Sequence, residues 1–197
     1  MNYLAHLYLA DCAGSSLVGN LMGDFVRGRL DGRFAARIEH GIRLHRRVDS
    51  FTDRHPAVRR SRCRLPAAWR RHAGIMVDVF YDHFLAREWD GYHPETLEAF
   101  AARVYAALDR QRDELDQGLR RAAPHLRANN VLVAYRHLAG VERALVSLSR
   151  RLSHPNPLSR AAQALADDDG GLRDDFHELL PDLVRFARRE SACLRGG

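Results

Sequence analysis

The spacing of apolar residues is the feature that most restricts how this chain can fold. Apolar side chains recur three and four positions apart along the sequence, and no run alternates apolar and polar residues between hairpin turns. This spacing is typical of α-helices that bury one face, so the sequence predicts an all-α protein. The clearest series are Leu17-Leu21-Phe25, Ile38-Ile42-Val48, Val77-Phe80-Phe84, Leu97-Phe100-Val104-Leu108 and Leu179-Leu183-Phe186.

The chain length predicts the number of domains, and the positions of serine, glycine and proline predict the helix boundaries. A chain of 197 residues can bury one full core, and we expect residues 1–197 to form a single domain. Three helices stand out: one capped by Ser15 or Ser16 that ends near Arg29, one from about Arg33 to Asp53, and one from about Ala67 to Trp89. Further helix boundaries are expected near Pro94, Pro124, Gly140, Pro155 and Gly170.

Acidic residues and histidines interrupt the predicted apolar helices. His45, Asp49 and Asp53 are spaced four apart, as are Asp78 and Asp82, so each set lies along one side of a helix. Buried charges are costly unless they are paired, and a divalent metal accepts carboxylates and imidazoles together. A metal-dependent hydrolase is the first hypothesis, and an ion-pair network with neighbouring arginines is an equal alternative. The full set is Asp24, His45, Asp49, Asp53, Asp78, Asp82 and His83.

Other residues restrict the function less sharply. The sequence has no phosphate-binding loop, no serine-hydrolase elbow and no HExxH helix, which disfavours those enzyme classes. His6 lies in an apolar helix and, taken alone, is typical of a core histidine. Three cysteines without metal-ligand spacing, together with an N-terminus that lacks a basic start, favour a protein of the reducing cytoplasm with no membrane partner.

The positive charge comes from arginine alone. The formal net charge is +6 and the sequence contains no lysine. Guanidinium groups bind phosphate and carboxylate in bidentate fashion, so an acidic partner is expected, although a run of charge is also typical of a solvated face. The densest basic stretch comprises Arg43, Arg46, Arg47, Arg54, Arg59, Arg60, Arg62, Arg64, Arg70 and Arg71.

Four stretches of the chain resemble the acyl carrier protein phosphodiesterases, also called acyl carrier protein hydrolyases. They occur in the order and at the approximate spacing of that family and cover roughly the first half of the chain. A later stretch departs from the family pattern, because Val131 stands where the family usually has tryptophan. The matching stretches are MNYLAHL at 1–7, GNLMGDFVRG at 19–28, GIRLHRRVDSFTD at 41–53 and DVFYDHFL at 78–85.

The resemblance implies a fold, a cofactor and a reaction. Members look like divergent HD-domain phosphohydrolases, which are helical bundles whose histidines and aspartates hold a divalent metal, most often Mn²⁺, with Mg²⁺ or Fe²⁺ as alternatives. They remove 4'-phosphopantetheine from a serine of holo acyl carrier protein, a small acidic protein. By resemblance, the metal site would draw on His6, Asp24, His45, Asp78, Asp82 and His83, with Asp49 and Asp53 in support.

The chemistry of such a reaction suggests roles for individual residues. Asp24 is expected to act in catalysis, and His83 or His6 would protonate the leaving serine oxygen. Arg27, Arg46 and Arg47 would hold the phosphate. The order Asp82-His83 reverses the usual His-Asp pair of HD proteins.

Two other functions fit the same residues. One is an HD-type phosphohydrolase that acts on a nucleotide or another small phosphate ester. The other is a non-enzymatic helical module that binds nucleic acid through its basic face, which the pI of about 9.8 permits. The second is weaker, because the sequence has no recognisable nucleic-acid-binding motif and the acidic cluster would be unexplained.

Overall fold

The computed structural model describes residues 2–196, and within this range it contains α-helices, short 3₁₀ segments and no strand. The prediction of an all-α fold is confirmed. Met1 and Gly197, which belong to the expected domain 1–197, lie outside the described residues. The helices are α1 (Tyr3–Cys12), α2 (Leu17–Met22), α3 (Ala36–Thr52), α4 (Pro56–Arg64), α5 (Ala73–Arg87), α6 (Leu97–Arg110), α7 (Gln117–Ala128), α8 (Val131–Ala134), α9 (Leu138–Ser149), α10 (Ala162–Asp167) and α11 (Asp169–Gly196).

Most predicted boundaries lie close to the observed ones, but α2 is shorter than expected. Ser16 caps α2, since its hydroxyl accepts a hydrogen bond from the Gly19 N–H at 3.0 Å. The helix ends at Met22 and not near Arg29. The following segment contains Gly28 and Gly32 at positive φ, a backbone conformation that favours glycine and ends a helix.

Two further boundaries differ from the prediction. The helix expected over 67–89 divides into a 3₁₀ segment, Ala67–His72, and α5. Pro124 was expected to end a helix but lies inside α7. Pro124 and Arg120, whose carbonyl loses its N–H partner, are both exposed residues, so water can replace the missing hydrogen bond and the helix tolerates the proline.

The buried apolar side chains form one continuous core with α1 and α5 at its centre. α1 is buried from Leu4 to Ala10, and α5 buries Phe80, Tyr81 and Phe84 completely. α1 packs against α2, α3, α5 and α11, and α5 also packs against α4 and α9. Polar groups on these two helices are therefore enclosed by the rest of the fold, where an unpaired charge is costly.

α2 and α3 approach each other closely at two glycines. A Cβ atom on Gly19 would lie 2.4 Å from the Ile38 carbonyl oxygen, and one on Gly41 would lie 2.7 Å from the Asn20 nitrogen. Only glycine permits this separation of the two backbones. The contact brings the end of α2, where Asp24 follows, against the middle of α3.

A buried carboxylate joins α4 to α11. Asp175 accepts hydrogen bonds from Ser61 at 2.9 Å, from Arg60 Nε at 2.8 Å and from Arg64 Nε at 2.9 Å. Ser61 is also 2.8 Å from the buried Tyr81 hydroxyl. Because every polar group in this network has a partner, it fixes the long C-terminal helix against the core.

No helix within residues 2–196 combines the length and apolar character needed to cross a membrane.

Candidate functional site

Two buried histidines share one carboxylate where α1 crosses α3. His6 comes from α1, and His45 and Asp49 lie one turn apart on α3. His6 Nε2 is 2.9 Å from Asp49 Oδ1, and His45 Nε2 is 3.1 Å from Asp49 Oδ2. The two imidazole rings are stacked, with centroids 3.8 Å apart and planes inclined by 19°. We call His6, His45 and Asp49 the histidine–aspartate cluster.

The surroundings of the cluster shift the pKa values of His6 and Asp49. His6 and His45 are only 1% and 2% exposed, whereas the Asp49 side chain is 42% exposed. Burial, aided by the neighbouring His45, lowers the pKa of His6 to about 3. Burial alone would raise the pKa of Asp49, but hydrogen bonds from His45 and His6 outweigh this effect and hold its pKa well below the usual range. At neutral pH a neutral His6 therefore faces an ionised carboxylate.

Asp24 places a second carboxylate beside the cluster. Its Oδ1 is 3.8 Å from His45 Nε2, and 35% of its side chain is exposed. Burial raises the pKa of Asp24, and the negative charges of Asp49 and Asp78 add to this effect. Asp78, which is half-buried on α5, also contributes to the raised pKa of Asp82. Asp78 is thus close enough to interact electrostatically with both Asp24 and Asp82.

Gly23 allows the approach of α2 to His45. A Cβ atom at this position would lie 2.2 Å from Cγ and 2.4 Å from Cδ2 of the His45 ring. Real Cβ contacts do not reach such distances, so any larger residue would displace the imidazole. The glycine next to Asp24 is therefore a requirement of the site geometry.

The histidine–aspartate cluster fits a divalent metal. One potential ligand atom from each of its three residues lies within 4.8 Å of the others. Two imidazoles and a carboxylate are donors that suit Mn²⁺ and Fe²⁺. Within the described part of the chain, the Nδ1 atoms of His6 and His45 are buried without a hydrogen-bond partner, a condition that is frequent at functional sites.

Asp82, on α5, is not one of the three clustered residues and instead contacts the beginning of α1. It is completely buried, and its two oxygens accept hydrogen bonds from the Leu4 N–H at 2.8 Å and the Ala5 N–H at 3.0 Å. Burial raises the pKa of Asp82 to about 7, even though these two N–H groups oppose the shift. Asp82 thus caps α1, the helix that carries His6.

His83 and Asp53 have partners outside the cluster. The His83 ring is buried, and its Nδ1 is 2.7 Å from the Tyr135 carbonyl oxygen. Asp53 is 65% exposed and forms an ion pair of 2.5 Å with Arg62. The predictions that these residues act in the site remain predictions, and neither side chain is shown in contact with the cluster.

The three arginines predicted to hold phosphate have different surroundings. Arg46 donates hydrogen bonds to the carbonyl oxygens of Val26, at 2.9 Å, and Gly28, at 2.8 Å, and so fixes the segment that follows Asp24. Arg27 is exposed within that segment. Arg47 forms an ion pair with Glu190 on α11. Of these three arginines, Arg27 is therefore the one with an exposed side chain on the segment that follows Asp24.

The structure also shows a cavity that the sequence did not predict. Its volume is about 700 Å³, and it is bounded by the start of α1, by α7 and α8, and by the polar and apolar side chains of α9. Tyr3 lines it one helical turn before His6, and Arg151 lines it just after α9. Most residues that line the cavity lie in the second half of the chain, far in sequence from the predicted site. The one sequence signal for the cavity is that Tyr3 lies one helical turn before His6.

The fold and the cluster together define an all-helical protein with a buried histidine–carboxylate centre. The sequence model of the family described as acyl carrier protein phosphodiesterase matches residues 1–183. The chain belongs to the acyl carrier protein phosphodiesterase family. No solved structure matches it, and the expected likeness to the HD fold stays a prediction.

Individual relatives of that name are similar over nearly their whole length. The chain is 39% identical to the acyl carrier protein phosphodiesterase of Photorhabdus laumondii over 196 residues, which cover 98% of this chain and 99% of the relative. It is 35% identical to that of Pectobacterium atrosepticum over 191 residues, covering 96% and 99%. It is 33% identical to that of Salmonella dublin over 192 residues, covering 97% and 100%.

Proposed function

We propose that this protein hydrolyses the phosphodiester that links 4'-phosphopantetheine to a serine of holo acyl carrier protein. Water adds to phosphorus, the bond from phosphorus to the serine oxygen breaks, and the serine oxygen takes up a proton. The products are apo acyl carrier protein and free 4'-phosphopantetheine. The observation that carries the proposal is the buried histidine–aspartate cluster in a chain that resembles phosphodiesterases over nearly its full length.

We propose further that the reaction depends on a divalent metal, with Mn²⁺ the first choice and Mg²⁺ or Fe²⁺ as alternatives. His6, His45 and Asp49 would hold the ion. His6 is neutral, and with its proton on Nδ1 its Nε2 lone pair would bind the ion in place of the hydrogen bond to Asp49. When bound, such an ion supplies charge stabilisation at the phosphate oxygens and acidifies water. The chemistry of the donor set, two imidazoles with a carboxylate, supports this choice.

Asp24 is suited to accept the proton of the attacking water. It lies beside the cluster, is partly exposed and has a raised pKa, so it is a stronger base than an ordinary carboxylate. Arg27, on the segment that Arg46 holds, is suited to bind the phosphate or the acidic carrier. Arg47 is less suited, because Glu190 already neutralises it.

The test is incubation of the purified protein with holo acyl carrier protein, with and without Mn²⁺, followed by intact-mass measurement of the carrier. We expect a metal-dependent loss of about 340 Da, the mass of the phosphopantetheine group. If the carrier keeps its mass with metal present, the proposed reaction is wrong. Turnover of a nucleotide under the same conditions would then select the alternative function of a small-ester phosphohydrolase.

Two matched variants on α3 test the location of the site. Asp49→Asn removes the shared carboxylate, whereas Asp53→Asn alters an exposed ion pair one turn further along. We expect kcat/KM for holo carrier to fall about 100-fold or more in the first variant and to change by less than about twofold in the second. Full activity of Asp49→Asn would exclude the histidine–aspartate cluster as the catalytic centre.

The cytoplasmic location, which the sequence suggested through its cysteines and its N-terminus, stays a prediction.

A further inference from the structure

A cavity that the proposed chemistry leaves unexplained begins one helical turn from the cluster. Asn2 and Tyr3 line the cavity, and His6 follows Tyr3 by three positions on α1, so Tyr3 and His6 lie on one side of that helix. Asn2 donates a hydrogen bond of 2.6 Å to the buried Tyr135 hydroxyl, which fixes the wall at this end. One end of the cavity therefore lies about one helical turn from the candidate metal centre.

Electrostatic interactions also connect the cavity with the residues beside the centre. Burial raises the pKa of Tyr3, and the charge of Asp24 raises it further, while Arg151 acts in the opposite direction. Asp24 also contributes to the raised pKa of Tyr135, after the larger effect of burial. Two cavity side chains thus lie within the field of the carboxylate that we assign as the base.

The wall combines two kinds of surface. Ser147 and Leu148 each lie three or four residues from both Ala144 and Arg151, so these four residues of α9 and the turn after it lie on one side of the helix, next to the cavity. This side offers the apolar groups of Ala144 and Leu148, the hydroxyl of Ser147 and, at its C-terminal end, the guanidinium of Arg151. The volume of about 700 Å³ lies in the range of sites for cofactor-sized ligands.

We propose that this cavity receives the 4'-phosphopantetheine arm of the substrate, with Arg151 beside its phosphate end. This inference rests on the proposed function. The arm carries a phosphate, two amides and a geminal dimethyl group in a narrow chain. A guanidinium binds phosphate, polar side chains such as Ser147 satisfy the amides, and Ala144 and Leu148 pack against the methyl groups.

Direct binding of two probes tests the inference independently of turnover. The affinities of 4'-phosphopantetheine and of pantetheine, which lacks the phosphate, are measured by calorimetry on the full chain with Mn²⁺. Ser147→Trp fills the cavity, and we expect it to weaken both probes by about tenfold or more. Arg151→Ala should weaken 4'-phosphopantetheine about tenfold and leave pantetheine nearly unchanged.

A matched variant controls for damage to the fold. Ala123→Trp adds the same side chain to a separate cavity of about 510 Å³ beside α6 and α7, and we expect it to bind both probes as the unaltered protein does. Unchanged affinity in Ser147→Trp, or equal loss of both probes in Arg151→Ala, would overturn the assignment. If Ser147→Trp does not fold, the exposed Arg151 still provides the test.

The same variants separate failure of this inference from failure of the proposed function. If the unaltered protein converts holo carrier but Ser147→Trp has an unchanged KM, the arm binds elsewhere and the inference is wrong. If holo carrier is not converted, the proposed reaction is wrong, and only the probe affinities then decide whether the cavity binds the arm.

Discussion

At the scale of single residues, Asp49 has the central position in the candidate site. Its two oxygens contact the two buried imidazoles, while nearly half of the side chain still faces solvent. A carboxylate of this kind can hold a cation and remain open to a substrate. Asp49 was expected only as a supporting residue, and its assignment as a ligand is now a proposal based on these contacts.

The first prediction concerns Gly23. Gly23→Ala introduces a Cβ atom at 2.2 Å from His45 Cγ, so the ring must leave the position in which its Nε2 lies 3.1 Å from Asp49. We expect the affinity for Mn²⁺ and kcat/KM for holo carrier each to fall about tenfold or more, as measured by calorimetry and by the mass assay.

Gly91→Ala is the control for this variant. A Cβ atom at Gly91 meets no atom within 4 Å, and the residue lies in a short 3₁₀ segment away from the cluster. We expect both measurements to stay within about twofold of those for the unaltered protein. Normal metal binding in Gly23→Ala would mean that His45 is not a ligand.

At the scale of helices, α5 forms hydrogen bonds with two different neighbours, α1 and the residue that follows α8. Asp82 and His83 are consecutive, so their side chains leave the helix about 100° apart. Asp82 meets the start of α1, and His83 meets the carbonyl of Tyr135 just after α8. Asp82 therefore fixes α1, the helix that carries His6, against α5, and His83 fixes the end of α8 against α5.

The second prediction concerns this support. Asp82→Ala removes the acceptor of two buried backbone N–H groups at the start of α1. We expect the free energy of unfolding to fall by about 2–4 kcal/mol, measured by denaturant titration, because both groups lose their hydrogen bonds without gaining water.

An exposed cap provides the comparison for Asp82. Thr96 caps α6, where its hydroxyl accepts a hydrogen bond from the Ala99 N–H at 3.2 Å in a solvated position. Thr96→Ala should cost only about 1 kcal/mol. If Asp82→Ala keeps its full stability but no longer binds Mn²⁺, Asp82 is a metal ligand and not a helix cap.

At the scale of the whole molecule, the net charge is +6, but several arginines of the basic stretch are paired with carboxylates. Arg60 and Arg64 bind the buried Asp175, and Arg62 pairs with Asp53. Other arginines of the stretch are exposed, among them Arg59, Arg70 and Arg71. The remaining positive charge is available to an acidic protein partner and acts mainly on the rate of encounter.

The third prediction follows from this charge. Between about 0.05 M and 0.5 M salt, kcat/KM for holo carrier should fall roughly tenfold, because salt screens attraction between exposed charges. The hydrolysis of bis(4-nitrophenyl) phosphate, a small ester with a single charge, provides the comparison and should change much less. Equal salt dependence for both substrates would exclude electrostatic recognition of the carrier.

The sequence by itself determined the features that depend on local spacing. The apolar period required helices, and the four-residue step placed His45 and Asp49 on one side of α3, because neighbours on a helix are set by its geometry. The glycines on either side of Leu21 and Met22 indicated a close approach to α2. The structure shows that approach at Gly19 and Gly23.

Only the tertiary structure decided which distant residues meet. His6 joins His45 and Asp49 because α1 crosses α3, and no local pattern encodes that crossing. The four-residue step that correctly joined His45 to Asp49 also suggested Asp53, but one further turn carries Asp53 to the exposed end of α3, where it pairs with Arg62. Long-range packing determines which helix faces meet. The resemblance had named His6, His45 and Asp49 as candidates, but their shared contacts and the neighbouring cavity are visible only in the folded chain.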